Sequence, residues 1–424
     1  MLTLNRLIAV AAVAVAAVVL AACGSSSSSS SSGSSGSASS GTYSIGSPAD
    51  LTGENAQFSE SWMAGLNAAV AAVNAAGGID GKKVTVKYED LQSNPARATQ
   101  VVTQMATSGK YDALIPTTAG NTSLPIVQAA ARAKAFLLGG AAADGLQNPA
   151  VYPQSFNMNF PSAEEAAGGA CMVQQLKYKK IAMATLSDPF SESQTTAISA
   201  DLKKLGVEVT GTATWDFSDT NISAQLQKLK SGNPEAVFVV AYSTGVGVFF
   251  SSLKNLGWNI PVIGGISLAS ELVHLVSKPG TVPSTVLVQG TPSEAAPADE
   301  NQQRAIKYLK SAGGVTKFTR SLTGYLYPYD ALMTIKAAAE KAKSTDTATL
   351  IKTIQGFKAN PQQTWITDQP VPQISAELHG LNNVEYSIVN AAAEAPEGIL
   401  PAKEKIKKCI TPSLTELLGP PAAG

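Results

Sequence analysis

Few side chains in this chain are equipped for covalent or metal chemistry. Its 424 residues include two histidines, His274 and His379, and three cysteines, Cys23, Cys171 and Cys409. An imidazole-based metal centre or a Ser/His/Asp relay draws on more than that. Neither a G-x-S-x-G elbow nor an H-E-x-x-H pair is present. The stretch Gly77 to Lys83 approximates a phosphate loop, but its spacing is wrong and Val84, not Ser or Thr, follows the lysine pair. What the chain offers instead is a set of short segments rich in Gly, Ala, Ser, Thr and Asn: 47–58, 116–123, 139–145, 187–193, 241–245 and 264–270. Such segments present bare backbone N–H groups and small hydroxyls to a small polar ligand. The reading is therefore binding without catalysis, with no cofactor and no metal.

The elements that must carry these segments follow from the hydrophobic pattern. Length suggests two or three domains, and a chain 44% hydrophobic and 15% charged can bury a large core. The 31 Lys and Arg cancel 31 Asp and Glu, so no basic face is available for nucleic acid. Trp62, Leu66, Val70 and Val73 recur at helical spacing, with Ser59 as candidate N-cap and Gly77-Gly78 as the stop. Val84, Val86 and Tyr88 alternate with polar residues as in a strand with one wetter face. Asn94-Pro95 opens the next helix. Strands at 113–115, 135–138, 181–186, 236–240, 261–263 and 286–288 alternate with helical stretches, which predicts parallel sheets wrapped by helices. The units are too many for one small sheet, so two α/β lobes are expected. In such sheets ligands sit beyond the carboxyl ends of strands, where all six polar segments fall.

The N-terminus is distinctive. Arg6 precedes fourteen apolar residues, Leu7 to Leu20, a length suited to a signal peptide rather than a membrane span. Leu20-Ala21-Ala22-Cys23-Gly24 then resembles a bacterial lipobox, which implies cleavage after residue 22 and lipidation of Cys23. Thirteen serines among residues 25–40 read as a flexible tether. Export implies a disulfide-permissive compartment. With Cys23 lipidated, Cys171 and Cys409 either form one disulfide or remain separate buried thiols.

Several segments resemble the leucine/isoleucine/valine-binding family: Ile45 to Phe58, Ala64-Gly65, Asn74 to Lys83, Glu89-Asp90 with Asn94-Pro95, Asp188-Pro189-Phe190, Asp219 to Val240, and Tyr329-Asp330-Ala331 opening a helix. These are type I periplasmic solute-binding proteins of ABC importers, and the likeness runs from about Tyr43 to Asn390. It implies two Rossmann-like lobes joined by three crossovers, placed near 156–161, 290–292 and 365–379. Lobe one would take 43–157 and 291–363, and lobe two 158–290 and 364–410, after a signal peptide (1–22) and lipidated linker (23–42) and before a tail (411–424). The ligand would close between the lobes.

The family holds an amino acid's carboxylate on lobe-one loops, here Ala119-Gly120-Asn121-Thr122 and Gly140-Ala141-Ala142. Ala142 replaces a common Thr, and Ile266 in Gly264-Gly265-Ile266-Ser267 stands where an acid usually receives the α-ammonium. Glu271, Asp188 or another acid then substitutes, or the ligand is not an α-amino acid. Phe58, Phe190 and Tyr242 match ring positions of the family pocket, whereas Tyr325, Tyr327 and Tyr329 read as hinge or core packing before a helix. The resemblance implies a monomer that captures a small solute, an amino acid or a derivative, at the membrane surface and passes it to a permease with its ATPase. An extracytoplasmic sensor of the same fold and a binder of an amide, urea-like compound or apolar carboxylic acid are the alternatives.

Overall fold

Two apolar strand runs, Ile45 with its neighbours and Ala236 to Val240, each seed a separate sheet. The computed structural model describes residues 41–118, 120–140, 145–357 and 374–419. The chain opens with β1 (Thr42–Ala49), α1 (Ala56–Ala75), β2 (Lys83–Asp90), α2 (Pro95–Thr107), β3 (Ala113–Leu114), α3 (Ser123–Arg132), β4 (Leu137–Gly139) and β5 (Ser155–Asn157). These strands form one all-parallel sheet in the order β2-β1-β3-β4-β5.

The chain then passes to a second sheet through α4 (Ser162–Gln175), β6 (Lys180–Leu186), α5 (Pro189–Lys204), β7 (Glu208–Trp215), α6 (Ser223–Ser231) and β8 (Ala236–Val240). It continues through α7 (Thr244–Asn255), β9 (Val262–Gly264), α8 (Ile266–Ala269), α9 (Val273–Val276) and β10 (Val286–Gly290). Next come α10 (Glu300–Ser311), α11 (Thr323–Ala342) and α12 (Thr347–Gln355); α10 and α11 pack on α1, and α12 packs on α11. Finally β11 (Ser387–Asn390) and β12 (Ala402–Lys405) join the second sheet, and α13 (Leu414–Leu418) lies against α4, in a segment expected to be a plain tail. The second sheet runs β12-β11-β10-β9-β8-β6-β7. The fold is thus two α/β lobes, with one departure from the parallel expectation: β11 and β12 run antiparallel at the edge. β11 has two buried apolar residues and β12 is exposed throughout and mostly charged, so neither offers the apolar run by which the other short strands are read.

Local chemistry accounts for the elements. In α2 and α5 proline sits at the first helical turn, where its missing N–H costs nothing. Asn94 caps α2 by accepting from the Arg97 N–H at 3.0 Å. α1 begins earlier than its apolar stripe suggested. Asn55 is its N-cap, and Ser59 lies inside the helix, accepting from the Asp50 N–H at 3.2 Å. α11 also begins earlier, at Thr323, so the three tyrosines lie within it and Pro328 sits inside the helix. α1 and α11 pass close together: a β-carbon at Gly65 would collide with the Tyr325 carbonyl. In the second lobe all five residues of β8 are buried, as both faces are covered. Trp215 stacks on Phe249 at 6.2 Å between ring centres, and truncating it would cost about 3–5 kcal/mol. A disulfide joins Cys171 on α4 to Cys409, tying the C-terminal segment to the second lobe.

Where the chain leaves β10 for α10, Glu294 is wholly buried. Its carboxylate accepts from the Thr291 N–H at 2.8 Å and the Thr291 hydroxyl at 3.1 Å. Burial pushes its pKa up to about 8, despite those bonds. A carboxyl group raised on folding favours the folded state fully below its unfolded value, and that contribution fades as pH rises through the folded one. Urea unfolding from pH 4.5 to about 8 is therefore expected to show stability falling with pH more steeply in the parent than in Glu294→Gln. Parallel pH profiles would remove Glu294 as the cause.

Candidate functional site

The residues that line the interlobe cavity are placed by strand ends and helix starts. At the end of β6, Asp188 caps α5 by accepting from the N–H groups of Phe190 (3.1 Å) and Ser191 (3.2 Å) and from the Ser191 hydroxyl (2.7 Å). This cap fixes Phe190 in the wall. Beyond β8, the Tyr242 hydroxyl donates to the same Asp188 carboxylate. Burial first, then the carboxylates of Asp188, Glu54 and Glu271, raise the Tyr242 pKa well above the ordinary phenol value, so it stays a donor. Beyond β9, Gly264-Gly265 leads into α8, which brings Ile266, Ser267 and Ser270 to the wall. Asn159 arrives on the connection to α4, and Glu165 in the first turn of that helix.

The first lobe supplies Phe58 and Trp62, one turn apart on α1, together with Gly120, Gly140 and the start of α11: Thr323, Gly324 and Tyr327. The cavity between these walls has a volume of about 60 Å³. Its rings are mutually packed: Phe58–Trp62 at 5.0 Å, Trp62–Tyr327 at 5.4 Å, Phe58–Tyr242 at 6.4 Å and Phe190–Tyr242 at 6.1 Å. The two glycines are required by close approach. Gly120 has φ +72° and lies where a β-carbon would stand 3.2 Å from the Tyr242 hydroxyl; one on Gly140 would stand 2.6 Å from the Trp62 ring.

All six polar segments singled out in the sequence thus contribute to this one cavity. Phe58, Gly120, Gly140, Phe190, Tyr242 and Ile266 are brought together in its wall. Asn121 and Thr122 are not part of it. Asn121 donates to Glu54 at 3.1 Å and accepts from Asn55 at 3.2 Å, while Thr122 hydrogen-bonds Thr118 at 2.9 Å and Asp50 at 3.3 Å. Both brace the loop from behind, because a turn this short directs its side chains to neighbouring backbone and carboxylates. Ala119 and Ala142 lie outside the described residues, as do Cys23 and the first part of the third crossover. Glu165 and Thr323 were not named from the sequence. Trp62 was read only as part of an apolar helix stripe and Tyr327 as hinge or core packing before a helix, whereas the structure places both in the cavity wall. Trp62 had a further signal, since it follows Phe58 by four residues on one helix face. So had Glu165, one of the two charged residues of its helix.

Of the acids named from the sequence, neither Asp188 nor Glu271 lines the cavity. Glu271 is fully buried and paired with buried Arg320, and its Oε1 also accepts from the Ser243 N–H at 3.1 Å. The Arg320 guanidinium lies over the Phe58 ring, 4.3 Å from its centre. This pair joins the start of α11 in the first lobe to the second lobe, beside a backbone bond from the Ser321 N–H to the Ser270 carbonyl at 3.0 Å.

Residues 42–364 match the family described as periplasmic binding protein. The chain belongs to that family. A Brucella melitensis relative named Leu/Ile/Val-binding protein homolog 3 is 26% identical over 311 residues, spanning 72% of this chain and 80% of the relative. Among solved structures, the branched-chain amino acid substrate-binding protein LivJ of Streptococcus pneumoniae, in complex with isoleucine, superposes with a TM-score of 0.72 at 20% identity. That match covers 86% of this chain and 99% of LivJ. A Rhodopseudomonas palustris solute-binding protein in complex with benzoate gives 0.71 at 16% identity, covering 89% and 99%. These likenesses establish the family's type I fold for this chain. Family membership makes it an extracytoplasmic solute-binding protein.

The buried pair makes its own test. Arg320→Met leaves the Glu271 charge buried and unpaired, which costs about 3–5 kcal/mol in urea unfolding. Adding Glu271→Leu should restore much of that loss. If the double variant is no better than the single one, the two groups are not coupled.

Proposed function

We propose that this protein is a lipid-anchored, monomeric capture protein of an ABC importer. It encloses a small amino-acid-like solute between its lobes and delivers it to a membrane permease with its ATPase, performing no catalysis. The observation that carries this reading is a single cavity whose wall is shared by both lobes, with Phe58 and Tyr327 on one side and Phe190 and Tyr242 on the other. A ligand touching both walls favours closure, because its binding energy is gained only in the closed form. The hinge would be the crossovers at 156–161, 290–292 and 365–379. The Brucella relative and LivJ support an amino acid; the benzoate-bound neighbour, together with Ile266 and Ala142, supports an aromatic or apolar acid as the second reading.

Native mass spectrometry of the full chain, as purified and after denaturation, tests the class. A small molecule retained by the folded protein and lost on denaturation is expected. If none is retained, and a thermal-shift screen of amino acids, amides and aromatic acids gives no response, the capture reading fails.

Cys23 offers a separate test. In a bacterial host the parent should incorporate labelled palmitate and sediment with membranes, and Cys23→Ser should do neither. Unlabelled parent protein would remove the lipid anchor.

A further inference from the structure

We infer that the chain after β11, residues 391–419, is a brace across the hinge: it is fastened to the second lobe and bonded to the first, and so restrains the lobes from opening. On the second-lobe side β12 is the edge strand, paired with β11 and exposed throughout, so little burial holds it in place. Its fastening comes from the helices instead. The Gln175 side-chain amide at the end of α4 donates to the Lys405 carbonyl at 3.1 Å, and its oxygen accepts from the Lys407 N–H at 2.9 Å. The Cys171–Cys409 disulfide then fixes the segment to α4 covalently. On α5, the Lys204 ammonium pairs with Glu416 of α13 at 3.0 Å.

The same segment also reaches the first lobe. Between β11 and β12 the chain turns against the start of α11 and the stretch that follows β10. The Leu322 N–H donates to the Gly398 carbonyl at 2.8 Å, the Ala296 N–H to the Leu400 carbonyl at 3.0 Å, and the Leu400 N–H to the Glu294 carbonyl at 2.6 Å. Ala395 and Leu400 are buried there. The approach is close: a β-carbon at Gly398 would stand 2.7 Å from the Leu322 nitrogen. Beyond the disulfide, the Leu417 carbonyl of α13 accepts from the side-chain amide of Gln147, in the stretch between β4 and β5. Gln147 is itself buried, and its own carbonyl accepts from the His379 N–H at 2.9 Å. Both attachments thus lie beside the passages of chain between the two sheets. A hinge turns by rotations in a few connecting residues. A segment bonded on both sides of it must stretch or release those bonds as the lobes part. The bonds are made in the form where the cavity walls meet, so each favours that form over an opened one.

Hydroxyl-radical footprinting of the full chain tests this without any ligand. Opening wets the wall rings of Phe58, Phe190 and Tyr242, but leaves Trp215 in the second-lobe core. Two variants cut the brace in different ways. Cys171→Ser with Cys409→Ser releases it from α4, whereas Gly398→Ala with Gln147→Ala loosens its first-lobe attachments and keeps the disulfide. Oxidation of the wall rings should rise about 5- to 30-fold in each variant while Trp215 stays protected. Equal wall oxidation in the parent and both variants would overturn the inference. So would a rise confined to Leu400, Leu414 and Leu417, because the segment would then fray without holding the lobes. Should the cysteine variant label Trp215 as strongly as the wall, it has lost its fold and the other variant decides. The same result in both would make the segment a general stabiliser and remove the brace. A solute retained in native mass spectrometry beside an unchanged footprint would leave the capture reading standing without it.

Discussion

Arg320 and Glu271 come from different lobes and are both almost wholly removed from water. Each would be costly alone, because a buried charge forfeits its hydration and must recover it from a partner. Their pairing therefore ties the start of α11 to the loop after α8, and it does so directly behind the cavity. Phe58 packs under the guanidinium, Trp62 packs on Phe58, and Tyr327 on Trp62, so the aromatic wall is built outward from this one ion pair.

The same constraint shapes the wall of the cavity. Arg320 is held by Glu271, so its guanidinium packs on Phe58 as part of a neutral pair. The rings of Phe58, Trp62, Phe190, Tyr242 and Tyr327 line much of the space, with Glu165 in the first turn of α4, where an acid is favoured by the helix dipole. The arrangement suits binding with reversible closure.

Much of the fold was legible because parallel α/β units write themselves plainly. Buried strands such as 236–240 read as apolar runs, and Asn94-Pro95 and Gly77-Gly78 mark helix ends by local chemistry. The elements that were missed have physical reasons. β7 is an edge strand with a half-wet pattern and a central glycine, and β11 and β12 lack an apolar run, β12 being exposed throughout. α11 was placed too late because its opening followed the likeness at Tyr329-Asp330-Ala331, whereas the helix starts at Thr323 and holds Pro328 inside it. Of the candidate site, the strand-end rule pointed to loops that the structure brings to one cavity, yet it had no means to separate residues facing the cavity from those bracing the loop. Asn121 and Thr122 belong to the bracing set for this reason.

By itself the sequence determined the class of molecule: an exported-looking leader, alternating strands and helices, small-residue loops beyond strand ends, and a scarcity of catalytic side chains. These are properties of local spacing and composition, which a chain carries whatever its final packing. Only the tertiary structure decided how each acid is engaged, since Asp188, Glu271 and Glu165 are alike as residues. Asp188 sits on the N-terminus of α5 and beside the Tyr242 phenol, Glu271 on a guanidinium from the other lobe, and Glu165 in the cavity wall. The helix cap is local, but the phenol, the guanidinium and the cavity wall are brought up from far along the chain, and spacing does not encode them.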